Sequence, residues 1–180
     1  CVNGAWVRHA RECLAGSGIA VVSVAGFPLG AMSTASKCSE CENAVSDGAD
    51  EIDVVLNLGR LLQGDDRYVL QELREVVKAA QGHPVKVILE TCLLGDDRKI
   101  SACRLAMESG ARFVKTSTGF SRGGATTADV ALMRRTVGPD FGVKASGGIR
   151  DAQSALAMLA AGANRLGTSS GVAISRELKG

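Results

Sequence analysis

Short apolar runs rich in β-branched residues alternate with amphipathic stretches along all 180 residues of the chain. The run from Ile52 to Leu56 is nearly continuous in apolar residues, which is typical of parallel strands buried on both faces. Seven such runs predict strands over residues 1–7, 19–25, 51–57, 85–91, 113–117, 142–145 and 164–167. Helices are predicted between them, over residues 8–15, 33–47, 66–80, 96–109, 126–136 and 152–161, with a short one from residue 172.

This repeating βα unit predicts an α/β fold. Seven consecutive units favour a TIM (β/α)8 barrel over a doubly wound sheet. Such a barrel has eight strands and usually about 200–250 residues, and Cys1 already lies inside the first strand-like run. We therefore expect residues 1–180 to form a single (β/α) barrel domain that is N-terminally truncated and lacks the first βα unit.

The composition excludes several kinds of partner. A formal net charge of +2 and an aromatic content of 3% argue against a nucleic-acid surface. No apolar run approaches the ~20 residues that a membrane span needs. The six cysteines are scattered through a large, well-cored chain. They are expected to be reduced, buried thiols in a cytoplasmic protein. No cluster has the spacing of metal ligands, so we expect no metal.

Four charged residues lie near the ends of successive predicted strands, where such barrels carry their reactive groups. They are Asp53, Glu90, Lys115 and Lys144. A buried, isolated charge destabilises a fold, so these residues are expected to be paired or functional. A purely structural ion pair between Asp53 and one lysine leaves the second lysine unexplained. The sequence leaves the role of Glu90 open.

The two lysines on neighbouring strands predict a chemistry. Mutual repulsion and burial both disfavour an ammonium ion. A free lysine, with a pKa of about 10.4, is neutral at pH 7 in only a tiny fraction of molecules. A neutral buried amine attacks carbonyl carbons and forms Schiff bases, which accept electrons during C–C cleavage. We predict that one of the pair Lys115 and Lys144 is this nucleophile, and that Asp53 holds the other lysine charged and relays a proton.

Loops rich in glycine and hydroxyl residues follow the lysine strands and the last predicted strand. They cover residues 116–119, 146–148 and 167–171. Small residues leave backbone N–H groups accessible to an anion, and phosphate binds after the last two strands of many barrels. The sequence therefore predicts a phosphate site beside the lysines.

Five segments together resemble the deoxyribose-phosphate aldolase family of class I aldolases. They are Gly-Phe-Pro-Leu-Gly at 26–30, Gly-Ala-Asp-Glu-Ile-Asp-Val-Val at 48–55, Ile-Leu-Glu-Thr-Cys-Leu-Leu at 88–94, and the lysine motifs at 114–120 and 143–150. The resemblance covers essentially the whole chain, in matching order and spacing.

This resemblance implies reversible cleavage of 2-deoxy-D-ribose 5-phosphate to D-glyceraldehyde 3-phosphate and acetaldehyde, without a cofactor. It implies a Schiff base on Lys115, pKa depression and proton relay by Lys144, and a relay carboxylate at Asp53. It places phosphate binding at Gly119, Gly147, Gly148, Gly167, Ser169 and Ser170. It also implies cytoplasmic deoxyribonucleotide and carbohydrate degradation, with homo-oligomers as the expected assembly and no nucleic-acid or membrane partner.

The chain also departs from the family pattern. Family members begin with a strand that carries Asp-His-Thr-Leu-Leu, and some end in a tail with a catalytic tyrosine; neither feature occurs in these 180 residues. Two alternatives therefore stay open. One is another class I sugar-phosphate aldolase or a transaldolase-like enzyme, and the other is an inactive, truncated phosphate-binding barrel.

Overall fold

In the computed structural model, which describes residues 1–179, six parallel strands form one sheet in chain order. The strands are β1 (Val22–Ala25), β2 (Glu51–Val55), β3 (Val85–Ile88), β4 (Phe113–Lys115), β5 (Gly142–Ser146) and β6 (Arg165–Gly167). The helices are α1 (Val7–Cys13), α2 (Thr34–Ser46), α3 (Leu58–Leu62), α4 (Asp66–Ala79), α5 (Asp96–Glu108), α6 (Thr127–Val137), α7 (Ala152–Ala160) and α8 (Gly171–Glu177). Short 3-10 helices cover Gly4–Trp6 and Thr91–Leu93.

Several helices begin at a side chain that accepts a hydrogen bond from the first turn. Ser33 caps α2, Asp65 caps α4, and Thr126 caps α6 in this way. Asp151 forms a capping box with Ser154 at the start of α7. These caps satisfy backbone N–H groups that have no partner within the helix, so the local sequence sets where each helix begins.

The strand predicted over residues 1–7 is wrong. Only Val2 pairs with the sheet, through an isolated parallel bridge to Ser23, and a 3-10 helix follows at once. Asn3 and Gly4 are poor strand residues, so the extended run ends there. The short helix α3 was not predicted, and Asn57 caps it. The other strands and helices lie where the sequence predicts them, with ends that differ by a few residues.

The two faces of the sheet differ in chemistry. Alternate strand residues such as Ile52, Val87 and Val114 point outward into one apolar cluster with helix residues such as Leu73 and Met133. The intervening positions point inward, and many of them are charged: Glu51, Asp53, Lys86, Lys115, Lys144 and Arg165. The helices therefore cover the outer face, as in a barrel, whereas a doubly wound sheet carries helices on both faces.

Contacts across the inner face show how strongly the sheet curls. Arg165 on β6 reaches Glu51 on β2, although three strands separate them in the sheet. Lys144 on β5 likewise reaches Asp53 on β2. The six strands therefore form a curved half-barrel, and this confirms the predicted α/β, TIM-type fold class. Within residues 1–179, no helix is long and apolar enough to cross a membrane.

Candidate active site

Asp53 is the centre of a buried charge cluster inside the half-barrel. Its side chain is fully buried in the middle of β2. Asp53 Oδ2 accepts hydrogen bonds from Lys115 Nζ at 2.8 Å and from Lys144 Nζ at 2.7 Å. The other oxygen, Oδ1, accepts one from Lys86 Nζ at 2.8 Å. The structure thus brings together the three residues that the sequence singles out for chemistry.

Lys115 and Lys144 are direct neighbours in the sheet. They are register partners on β4 and β5, so both side chains leave the same face at the same level. Each residue is 5% exposed. Both amines donate to one carboxylate oxygen, so a small molecule that reaches one amine also lies beside the other.

The cluster changes the acidity of its members. Burial raises the pKa of Asp53, but the charges of Lys115, Lys144 and Lys86 outweigh burial and hold that pKa well below its usual range. Burial lowers the pKa of Lys144, the Asp53 carboxylate opposes that effect, and the charge of Lys115 adds to it. Asp53 is thus a permanent anion at neutral pH, and Lys144 gives up its proton more readily than a free lysine.

Sequence reasoning missed the role of Lys86, which lies deeper in the half-barrel than Lys115 and Lys144. It is fully buried and donates to Asp53 Oδ1 and, at 2.6 Å, contacts Glu51 Oε2. Lys86 is the register partner of Asp53. The structure pairs Ile52 with Val85, and this register, which the sequence does not specify, is what places Lys86 beside Asp53.

Glu90 does not join the lysine cluster. It lies two residues beyond β3 and has a left-handed backbone, with φ of 53°. Its buried carboxylate accepts a hydrogen bond from the hydroxyl of Thr118 at 2.5 Å and longer ones from the Thr118 backbone N–H. Glu90 therefore fixes the start of the loop that follows Lys115.

The predicted phosphate-binding glycines occur at the same edge of the sheet as the lysines. Gly119 and Gly147 are close neighbours, because a Cβ on Gly147 would lie 3.6 Å from the Gly119 Cα. A Cβ on Gly167 would lie 2.7 Å from Ser146 Cβ and 3.2 Å from Lys144 Cε. A side chain at position 167 would therefore force Ser146 to shift and would crowd Lys144.

The remaining predicted phosphate residues lie at the rim. Gly148 has φ of 80° and is exposed, Ser169 is exposed, and Ser170 occupies the N-cap position of α8. Ser117 is a further candidate that sequence reasoning did not single out. Its hydroxyl is buried two residues after Lys115 and has no hydrogen-bond partner within residues 1–179.

The cysteines differ in part from expectation. All six are free thiols: Cys1, Cys13, Cys38, Cys41, Cys92 and Cys103. Cys41 and Cys103 are buried, whereas Cys1 and Cys13 are exposed, so the expectation of uniformly buried thiols is wrong. Although Cys1 is exposed, its Sγ lies 3.9 Å from Asp53 Oδ2.

The chain is similar in sequence to known aldolases. The family model described as DeoC/LacD family aldolase matches residues 23–178. The deoxyribose-phosphate aldolase of Streptococcus suis strain 98HAH33 is 58% identical over 174 residues, which is 97% of this chain and 79% of that protein. The deoxyribose-phosphate aldolase of Brevibacillus brevis is 56% identical over the same shares of both chains.

Solved structures agree with the sequence relatives. An aldolase named QR15 has a TM-score of 0.95 and 40% identity, over 99% of this chain and 80% of its own. The deoxyribose phosphate aldolase of Aeropyrum pernix, whose structure is described as a unique tetramer, has a TM-score of 0.90 and 34% identity, over 98% of this chain and 75% of its own. With an aspartate and two lysines inside a parallel half-barrel, this chain belongs to the DeoC/LacD aldolase family.

Proposed function

We propose that this protein is a deoxyribose-phosphate aldolase, a class I carbon–carbon lyase that acts through a lysine Schiff base. The reaction is the reversible cleavage of 2-deoxy-D-ribose 5-phosphate to D-glyceraldehyde 3-phosphate and acetaldehyde. One observation carries the proposal: two buried lysine amines, on register partners Lys115 and Lys144, share a single oxygen of a buried carboxylate. Relatives at 56–58% identity carry the name of this enzyme.

The covalent step takes place on Lys115. Its neutral amine attacks the C1 aldehyde carbon of the open-chain sugar, and loss of one water leaves a protonated imine. A base removes the proton of the C3 hydroxyl, the C2–C3 bond breaks, and its electron pair moves into the imine to give an enamine. D-Glyceraldehyde 3-phosphate leaves at this point. Protonation of the enamine carbon and hydrolysis by water then release acetaldehyde and restore the amine.

Lys144 transfers protons during these steps, and Asp53 stabilises positive charge. Lys144 has a lowered pKa because it is buried near a second cation, so it exchanges a proton with the reacting atoms more readily than a free lysine does. Asp53 stays ionised and stabilises whichever neighbouring nitrogen carries the positive charge, including the protonated imine. The pair therefore supplies a mobile proton and a fixed negative charge on the same side of Lys115.

The loops at the mouth of the half-barrel fit a phosphorylated substrate. The glycines at positions 119, 147 and 167 allow backbone N–H groups to approach an anion closely. The inner face also carries four basic side chains against two carboxylates, so the interior favours anions. We assign phosphate binding to Gly119, Gly147, Gly148, Gly167, Ser169 and Ser170, with the unpaired hydroxyl of Ser117 available to a substrate oxygen.

Reductive trapping tests the proposal. Borohydride added with acetaldehyde alone should add one ethyl group to the protein, and peptide mapping should place it on Lys115. Lys115→Arg should abolish the label. Lys37, a buried lysine between α2 and α4, is the internal control and should stay unlabelled. Absence of any label on a folded protein would support the inactive phosphate-binding alternative.

The same experiment separates this reaction from related ones. A transaldolase-like enzyme takes its donor from a larger ketose, so acetaldehyde alone should then give no label while a ketose phosphate should. Formation of D-glyceraldehyde 3-phosphate from 2-deoxy-D-ribose 5-phosphate, followed with a coupled dehydrogenase, would complete the assignment.

The cellular setting follows from the same assignment. Free thiols at all six cysteines fit a reducing compartment, and the bacterial relatives are metabolic aldolases, so the cytoplasm is the expected location. A homo-oligomer is the expected assembly, because the Aeropyrum pernix aldolase is described as a tetramer. The degradative role of this protein would be the breakdown of sugar phosphate derived from deoxyribonucleotides.

A further inference from the structure

A line of alternating charges runs through the half-barrel below the reactive lysines. Arg165 Nη1 contacts the Glu51 carboxylate at 2.6 and 2.8 Å. Glu51 Oε2 contacts Lys86 Nζ at 2.6 Å, and Lys86 Nζ contacts Asp53 Oδ1 at 2.8 Å. The line begins at the half-exposed Arg165 and ends at the carboxylate that binds both reactive amines.

We propose that Glu51 and Arg165 are positioning residues for the aldol reaction. They hold Lys86 against Asp53 Oδ1 and so leave Asp53 Oδ2 to face Lys115 and Lys144. This inference rests on the proposed function, because it assigns these residues a role in that reaction. Neither residue contacts the reactive amines.

The geometry explains why Asp53 needs such support. The last torsion of an aspartate side chain has a broad energy profile, so the carboxylate plane is set by its partners. Lys86 is fully buried and lies between two carboxylates. The ring of Phe113 lies 5.9 Å from Lys86 Nζ and 5.0 Å from the Arg165 guanidinium carbon. Lys86 is therefore held on several sides, and through it Asp53 Oδ1 is held too.

Charge balance gives Glu51 a second effect. Asp53 faces Lys86 from β3, Lys115 from β4 and Lys144 from β5, and the Cys1 thiol lies 3.9 Å away. Glu51 faces only Lys86 and Arg165 among residues 1–179. Loss of the negative charge of Glu51 makes this interior one unit more positive, which disfavours protonated amines.

Two substitutions at one position separate geometry from charge. Glu51→Gln keeps the length of the side chain and removes the charge, while Glu51→Asp keeps the charge and shortens the reach to Lys86. Both should lower kcat on the order of 10²-fold, because a displaced reacting group reacts far more slowly. KM for the phosphorylated sugar should stay within about twofold in both, since the phosphate loops are at the opposite end of the strands.

The pH profile should differ between the two variants. In Glu51→Gln the midpoint of borohydride trapping with acetaldehyde should move to lower pH by about one unit. In Glu51→Asp the midpoint should stay where it is in the unsubstituted protein. Arg165→Met tests the other end of the line. The Arg165 side chain is 43% exposed, so its replacement leaves no buried cavity and the variant should fold. It should lower kcat in the same direction.

A control of matched burial comes from the other buried ion pair. Lys37 Nζ and Glu72 Oε1 lie 2.6 Å apart between α2 and α4, and both side chains are fully buried. Glu72→Gln should reduce thermal stability and leave kcat and the trapping midpoint unchanged below the unfolding transition.

The outcomes distinguish the two proposals. If the unsubstituted protein is not labelled by acetaldehyde and borohydride, the proposed function fails. The positioning role is overturned if the unsubstituted protein is labelled and the two folded variants, Glu51→Gln and Arg165→Met, behave like it. In that case their kcat lies within about twofold of its value, and their trapping midpoints lie within about 0.2 pH unit of its midpoint. A kcat loss in Glu72→Gln equal to that in Glu51→Gln would overturn it as well.

Discussion

Lys115 and Lys144 are register partners on adjacent parallel strands, and both donate to the same oxygen of Asp53. This arrangement places two buried basic groups on one anionic oxygen atom. The Asp53 carboxylate therefore has more positive charge around it than it can balance, and the neighbouring charge of Lys115 adds to burial in lowering the pKa of Lys144.

Replacing Lys144 should separate stability from activity. Lys144→Met leaves Asp53 with Lys86 and Lys115, so no buried anion loses its only partner. Burial lowers the pKa of Lys144, because an ammonium ion that is removed from water loses its solvation. The free energy of unfolding in urea should therefore be unchanged or higher, whereas kcat should fall on the order of 10²–10⁴-fold with loss of proton transfer.

Lys37→Met is the matched control and should have the opposite effect on stability. Among the residues that the structure describes, Lys37 is the one cation that contacts Glu72. Its removal leaves a fully buried carboxylate without a counter-ion, so the free energy of unfolding should fall by about 3–5 kcal/mol. Equal destabilisation by Lys144→Met and Lys37→Met would contradict this account of the active site.

Acid should destabilise the protein through Asp53. Its pKa is lowered in the folded state from the ordinary value of 3.8, so the unfolded chain binds the proton more readily. The stabilisation is fully present above that ordinary value and is lost as the pH falls below it toward the folded-state pKa. Urea midpoints measured between about pH 6 and pH 3 should therefore decline at the acid end. A midpoint independent of pH over that range would show that Asp53 is not held ionised.

Glu90 should affect the phosphorylated substrate more than the covalent step. Its carboxylate accepts hydrogen bonds from the hydroxyl and the backbone N–H of Thr118, one residue before Gly119. Glu90→Gln should loosen this loop and raise KM for the sugar phosphate about tenfold. Borohydride trapping of acetaldehyde, which has no phosphate, should proceed at the original rate. An unchanged KM would show that the contact between Glu90 and Thr118 does not support phosphate binding.

Arg134 should matter for stability alone. Its guanidinium donates to the carbonyls of Gly138 and Phe141 at 2.5 and 2.7 Å, to Gly162 O at 3.0 Å, and to the side chain of Asn164. The ammonium of a lysine cannot reach these acceptors together. Arg134→Lys should therefore lower the free energy of unfolding by about 2–3 kcal/mol. The rate of acetaldehyde trapping below the unfolding transition should not change. A changed rate would indicate that the segments that Arg134 holds together, around Gly138 and Gly162, affect the active site.

The sequence by itself determined the order of strands and helices, because near-continuous apolar runs and helix caps are local signals. Strands β2 to β6 lie at the predicted places, and α2, α6 and α7 begin at side chains that cap them. The prediction of a strand over residues 1–7 was wrong, and the reason is also local. Asn3 and Gly4 end the extended run after a single bridge at Val2.

The sequence also singled out Asp53, Lys115 and Lys144, since charges inside apolar strands are costly enough to be conspicuous. It did not show that Lys86 completes the cluster or that Glu90 stays outside it. Those facts depend on strand register and on the curl of the sheet, which decide which inward-pointing side chains meet. Asp53 and Lys144 are 91 residues apart in the chain, and only the curved half-barrel brings them to 2.7 Å.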